Sequence, residues 1–162
     1  MINQTQSRKV RYQMRDEIEN ILKEQDIDKN QFHEAPKNIY EEVIRKTYYS
    51  FCDYQKYPTI QIKYMWCRLR NTLAKSDLIH TDWKDWCKYI DRIDELISDK
   101  NPDIQYYLIT DGGWVYEGTL IQIKKVLYEY PGYMEDFYIL SRDYKWLILH
   151  IDDGGCMYKV WK

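Results

Sequence analysis

Apolar residues recur at helical spacing through the first hundred positions of the chain. Val10, Met14, Ile18, Ile21 and Leu22 fall on one face and predict an amphipathic helix near residues 6–25. Pro36 suits the first turn of a second helix, where its missing N–H costs nothing. Glu41 and Glu42 then sit near the positive end of that helix's dipole, and Tyr40, Val43, Ile44, Thr47 and Phe51 form its stripe. Ile62, Met65, Trp66, Leu69 and Leu73 repeat the spacing and predict a third helical segment. Its start is ambiguous, because Thr59 to Tyr64 alternates like a strand. A fourth helix is capped by Thr81, with Asp82 and Asp85 at its N-terminus and Trp83, Trp86, Ile90, Ile93 and Ile97 along one face; Asn101-Pro102 stops it.

The pattern then changes. Ile104 to Thr110 is a β-rich run ended by Asp111-Gly112-Gly113, and Trp114 to Glu117 is short and extended. Gly118 hands over to Thr119, a cap for a helix through Leu120, Ile123 and Leu127 that Pro131-Gly132 closes. Three strands follow, near 134–140, 144–151 and 156–161, joined by Ser141-Arg142-Asp143 and by Asp152-Asp153-Gly154-Gly155. The expectation is a single α+β domain over 1–162. Residues 1–100 form a helical part, packed with a mostly antiparallel sheet of order β-β-α-β-β-β over 101–162. The six glycines agree: all lie after residue 111, as expected of a turn-rich sheet after a helical half.

Composition narrows the function classes. The chain has 162 residues, 24 Lys plus Arg and 26 Asp plus Glu, a net charge of −2 that argues against a nucleic-acid-binding module. The two parts differ, however: residues 1–75 carry 14 basic and 10 acidic groups, residues 76–162 carry 10 and 16. No window approaches the roughly 18 apolar residues of a membrane-spanning helix, and the N-terminus lacks the apolar core of a signal peptide. Cys52, Cys67, Cys87 and Cys156 show no Cys-x-x-Cys spacing. They read as buried or half-buried free thiols, with a reducing cytoplasm as the default compartment.

Reactive residue types concentrate in one stretch, His150, Asp152, Asp153 and Cys156. A two-residue Asp153-Gly154 turn places Ile151 opposite Cys156 and His150 opposite Met157. Leu147, Leu149, Ile151, Cys156, Tyr158 and Val160 then share one apolar face. His150 falls on the other with Trp146, Ile148, Met157 and Trp161, and a Cys–His dyad fails; a three-residue loop would shift the register and restore it. His150 and Asp152 do share a face, with Asp103 or Asp111 as the candidate further oxygen for a metal-dependent hydrolase, although a typical site wants three or four ligands. The bland reading makes the aspartates turn formers and His150 a half-buried strand residue. A second concentration, Tyr48, Tyr49, Tyr54, Tyr57, Tyr64 and Trp66 beside Lys56, Lys63, Arg68 and Arg70, reads as core packing with a hydroxyl rim. A protein-binding surface comes next and single-stranded nucleic acid last.

The C-terminal order Trp114-Val115-Tyr116-Glu117-Gly118, a helix ending in Val126-Leu127, Phe137 to Ser141, then Tyr144-Lys145-Trp146-Leu147-Ile148 resembles an uncharacterised family of small cytoplasmic bacterial proteins. Trp66 to Leu69 and Trp83 to Ile97 extend the likeness over about residues 62–155. Members resemble, in size and composition, the immunity proteins that neutralise toxins. That family's pattern places a His-His-Gly or similar polar turn after the Trp-Leu strand. This chain has His150-Ile151-Asp152-Asp153-Gly154 instead, which puts any His-based site in doubt. The resemblance implies a non-catalytic cytoplasmic binding protein that needs no cofactor and occludes a partner's surface. A basic toxin would suit the acidic half, whose expected contact residues are Asp99, Asp103, Asp111, Glu117, Asp152 and Asp153. The aromatic face of Trp146, His150 and Trp161 is the alternative contact, including in a homodimer; otherwise the chain is a monomer.

Overall fold

The computed structural model describes residues 4–131 and 134–162, with side chains described from residue 13 onward. Met1–Asn3, Gly132, Tyr133 and the side chain of Val10 therefore lie outside the described residues. Helix α1 spans Gln4–Glu24, strand β1 Phe32–Glu34 and helix α2 Lys37–Phe51. Two short strands, β2 (Ala74–Lys75) and β3 (Ile79–His80), precede the short helices α3 (Trp86–Asp91) and α4 (Ile93–Leu96). Then come β4 (Gln105–Thr110), β5 (Val115–Thr119), α5 (Leu120–Glu129), β6 (Phe137–Ser141), β7 (Trp146–Ile151) and β8 (Cys156–Trp161).

Among the described residues these strands form one eight-stranded antiparallel sheet of order β1-β5-β4-β6-β7-β8-β2, with β3 also on β8. The fold is α+β, and residues 101–162 run β-β-α-β-β-β along the chain as expected, although in the sheet their strands lie in the order β5-β4-β6-β7-β8 within a larger sheet. The addition is that residues 1–100 supply both sheet edges through β1, β2 and β3, each only two or three residues long. Segments that short carry no periodicity of their own, and their partners lie far along the chain.

Helices cover both faces of the sheet. On one, Ile18 and Ile21 of α1, Trp86 and Ile90 of α3, Ile93 of α4 and Ile123, Val126 and Leu127 of α5 pack on Tyr106, Leu108, Tyr116, Phe137, Ile139, Ile148 and Met157. On the other, Val43, Tyr48 and Phe51 of α2, with Ile62 and Met65, pack on Tyr107, Ile109, Val115, Tyr138, Leu140, Leu147, Leu149 and Val160. Burial on both sides explains why β6 and β7 read as unbroken apolar runs rather than alternating ones. The helical layers are tied by polar contacts as well: the Trp86 indole N–H donates to the Leu127 carbonyl at 2.9 Å, and Lys124 of α5 pairs with Asp94 of α4.

Three local expectations are corrected. Residues 62–73 form only a 3-10 turn, Met65–Arg68, entered through Tyr64 at φ 59° and left through extended Leu69. The apolar spacing there is real, but Leu69 bridges to Cys52 and Trp66 reaches across to Asp136, and these contacts need a bent chain. The fourth helix is split, beginning as a 3-10 turn at Trp83–Asp85 capped by the Asp82 side chain rather than by Thr81. Trp83 consequently leaves the apolar stripe and is 64% exposed, whereas Trp86, Ile90, Ile93 and Ile97 stay buried. Two cysteines, Cys67 and Cys87, are exposed rather than buried, because the first lies in the Met65–Arg68 turn and the second on the outer side of α3; all four thiols are free.

Candidate functional site

The β7–β8 hairpin has the register its turn residues imply. Ile151 faces Cys156, His150 faces Met157, and Cys156 and His150 therefore lie on opposite sides of the sheet. The Gly155 N–H donates to the Asp152 carbonyl at 2.9 Å, with Gly154 and Gly155 both at positive φ. Thr81 docks against this turn, its N–H donating to the Gly155 carbonyl at 2.8 Å. A Cβ on Gly155 would lie 2.4 Å from the Thr81 carbonyl oxygen, so the contact requires glycine twice over. The β3–β8 pairing that leads into it sets Ile79 opposite Met157 and His80 opposite Cys156.

This docking builds a cleft of about 220 Å³ lined by Thr81, Asp82, Trp83, Trp86, His150, Asp152, Gly154 and Gly155. His150 forms its inner wall and is 2% exposed. Its ring stacks on Phe137 at a centroid distance of 5.0 Å and meets the edge of Trp86 at 4.9 Å. Nδ1 lies 2.6 Å from the Glu135 carbonyl, which can only accept, so Nδ1 carries the proton. Nε2 is then the acceptor for the Thr81 hydroxyl at 3.3 Å. Burial holds the imidazole pKa below its ordinary value, against the opposing pull of the Glu135 carbonyl, Asp136 and Asp152. The ring is neutral, with both nitrogens engaged.

Carboxylates gather around the same sheet end. Asp136 is buried and works in two directions: Oδ1 accepts from the Asp152 N–H at 2.9 Å, and Oδ2 from the Trp66 indole at 3.0 Å. The Asp111 N–H donates to the Asp136 carbonyl at 3.1 Å. Burial, then Glu135, raise the Asp111 carboxyl above the usual carboxylate range, with Asp136 adding to the effect against the Gly112 backbone and Lys63. Asp152, Asp153 and Glu135 are exposed. Among the described residues no group of three or more His, Cys, Asp or Glu side chains is placed to hold a metal ion.

The residues singled out from sequence divide between two ends of the sheet. Asp111, His150, Asp152 and Asp153 lie at the end where Thr110, Phe137, His150 and Met157 are aligned across the strands. Trp146 and Trp161 are paired at the opposite end, near the Tyr106–Ser141 pair, roughly 13 Å away by strand rise. Exposed Asp99 and Asp103 precede β4 there. Glu117 is 8% exposed on β5 and is bound to Arg142 at 2.8 Å, with His33 at 3.8 Å. Trp146 is half-buried against Tyr106, while Trp161 is 38% exposed. The basic and aromatic stretch also divides: Tyr48 is in the core, Trp66 binds Asp136, and Tyr49, Tyr54 and Tyr64 are exposed.

Thr81, Asp82, Trp83, Glu135 and Asp136 were not legible as site residues. Trp83 follows helical spacing, so its exposure emerges only from the Asp82 cap, and Thr81 meets Gly155 across 74 positions. Among the described residues no helix is long and apolar enough to cross a membrane. No curated protein matches the chain. The family model that does match extends over residues 10–160, farther than the C-terminal motif alone, and the chain belongs to that group, the Family of unknown function DUF6756.

Proposed function

We propose that the protein is a binding protein of the bacterial cytoplasm that engages a basic protein partner, in the manner of an immunity protein that covers a toxin's surface. The observation that carries this reading is Trp83, a tryptophan 64% exposed beside a cleft with Asp82 and Asp152 in its wall. An exposed indole next to a concave surface is the residue type that anchors interfaces, and burying one is commonly worth about 2 kcal/mol or more. The row Asp111, Glu135, Asp152 and Asp153 extends the acidic surface beyond the cleft. Opposite charge on a partner would steer association and offset the repulsion from Glu135 and Asp136 that adds to burial in raising the Asp111 carboxyl. Lys84 lies over the Trp83 ring at 5.6 Å and can swing away on a long side chain. His150 supports the cleft from behind: its neutral ring fills space and pins Glu135, which suits a fixed binding wall better than a general base.

The test is calorimetric titration with the product of the gene adjacent to this protein's own. The reading expects saturable one-to-one binding, weakened at least tenfold by Trp83→Ala and by Asp152→Lys, and weakened further by salt. Binding indifferent to both substitutions, or no binding by that product, would overturn it.

A further inference from the structure

A second cleft, about 520 Å³, lies at the opposite end of the sheet, between the end of α4 and strands β7 and β8. Trp146, Trp161, Lys159, Leu96, Ser76 and Ser98 are among its lining residues. Two of them define its chemistry. Trp146 and Trp161 are cross-strand partners, so both side chains leave the β7–β8 ladder on the same face. Trp146 is backed by Tyr106 at 5.5 Å, which fixes it, while Trp161 stays 38% exposed.

Lys159 projects from the same face, two residues before Trp161, with its ammonium 5.0 Å from the Trp146 ring centroid. Two of the other charged groups in the cleft are ion-paired, and Lys162 is hydrogen-bonded to a neutral hydroxyl. Lys145 pairs with Asp143 at 2.8 Å, Lys162 binds the Ser50 hydroxyl at 3.2 Å, and Glu95 holds Arg92 at 2.9 Å. Among the described residues the Lys159 ammonium makes neither an ion pair nor a hydrogen bond; an indole face is its contact. Its backbone is held in place, since the Lys159 N–H donates to Ser76 Oγ at 3.0 Å and its carbonyl accepts from the Ser76 N–H at 2.9 Å. Partial burial holds its pKa below the usual lysine range, and no nearby carboxylate counters that. A partly buried cation with no ion-pair partner, beside an indole in a cavity of ligand size, is an incomplete arrangement.

We propose that this cleft binds a small planar aromatic carboxylate, its ring against the Trp146 and Trp161 indoles and its carboxylate on the Lys159 ammonium. The Ser98 hydroxyl at the rim is a second donor for the anion. An ammonium with neither an ion pair nor a hydrogen bond of its own, set against an indole, matches a monoanion. The concave shape and its volume suit a molecule of one or two fused rings rather than a protein surface. The proposal does not rest on the partner-binding reading, which concerns the other end of the sheet.

The experiment titrates the full chain with 2-naphthoate, its neutral isostere 2-naphthamide and 2-naphthyl phosphate, by calorimetry and saturation-transfer NMR. Wild type is expected to bind naphthoate at least tenfold more tightly than the amide, about 1.4 kcal/mol. Lys159→Met, with Lys159→Gln as a second variant should the first not fold, is expected to erase that ratio. Trp161→Ala, at the partly exposed last residue of β8, should weaken acid and amide alike. The proposal is overturned by equal binding of acid and amide to wild type or by a ratio that survives loss of the ammonium. It is also overturned by tighter binding of the phosphate, or by no saturable binding up to about 5 mM.

Discussion

Replacing His150 with phenylalanine keeps a ring of similar shape between Phe137 and Trp86 and removes both nitrogens. Two groups lose their partner, the Glu135 carbonyl at 2.6 Å and the Thr81 hydroxyl at 3.3 Å. The carbonyl is the costlier loss; Thr81 is half-buried and can turn to water. The bond is part-buried and losing such a hydrogen bond costs about 0.5–1.5 kcal/mol net, so His150→Phe should lower stability by roughly 1 kcal/mol at pH 7.5. The pH dependence is more diagnostic. Burial holds the folded imidazole below its ordinary value of 6.5, so the unfolded chain takes up the proton first as pH falls. Wild type therefore loses stability below about pH 6.5, by up to ~1.4 kcal/mol per pH unit from this group, and the variant does not. Urea unfolding from pH 7.5 to 5.0 should show the gap between the two narrowing steadily below pH 6.5. A gap that widens would mean that Asp136 and Asp152 outweigh desolvation and that the ring is charged; a constant gap would mean an unshifted imidazole. Either refutes the neutral, doubly engaged ring.

Other consequences are independent of that group. Gly155→Ala meets the Thr81 carbonyl at 2.4 Å and a φ of 53°, whereas Gly154→Ala, at φ 87°, meets nothing within 4 Å. Thermal melts should show the first costing at least about 2 kcal/mol and the second only about 1 kcal/mol, from backbone strain alone; equal losses would deny the Thr81 docking. Trp66→Phe removes one of the two donors to the buried Asp136 carboxylate and should cost about 1–3 kcal/mol in denaturant titration, with no cost if Asp136 is free to rehydrate. Native thiol labelling should modify Cys67 and Cys87 and spare Cys52, which burial shields and pushes up to about 12; early labelling of Cys52 would contradict its packing against Met65.

Much of this arrangement was written locally in the chain. Asp153-Gly154 between two β-rich runs fixed the β7–β8 register, and that register alone separated His150 from Cys156. What escaped was long-range. The strands β1, β2 and β3 exist because β5 and β8 offer open edges, and two or three residues cannot advertise such pairing. Residues 62–73 carry helical spacing yet bend, because Trp66 and Leu69 answer to Asp136 and Cys52 instead. Charge counted by halves of the chain also concealed its local arrangement. The tryptophans at the far sheet end stand beside Lys159, in a Lys-x-Trp alternation that strand periodicity makes readable in retrospect.

Hydrogen exchange on the protein mixed with the adjacent gene's product tests the proposed partner-binding surface most directly. Binding through Trp83 and the acidic sheet end predicts new protection of backbone amides in residues 81–86 and 152–156, with the amides around Trp146 and Trp161 unchanged. Protection confined to the Trp146 and Trp161 end, or to the outer faces of α1 and α2, would contradict it.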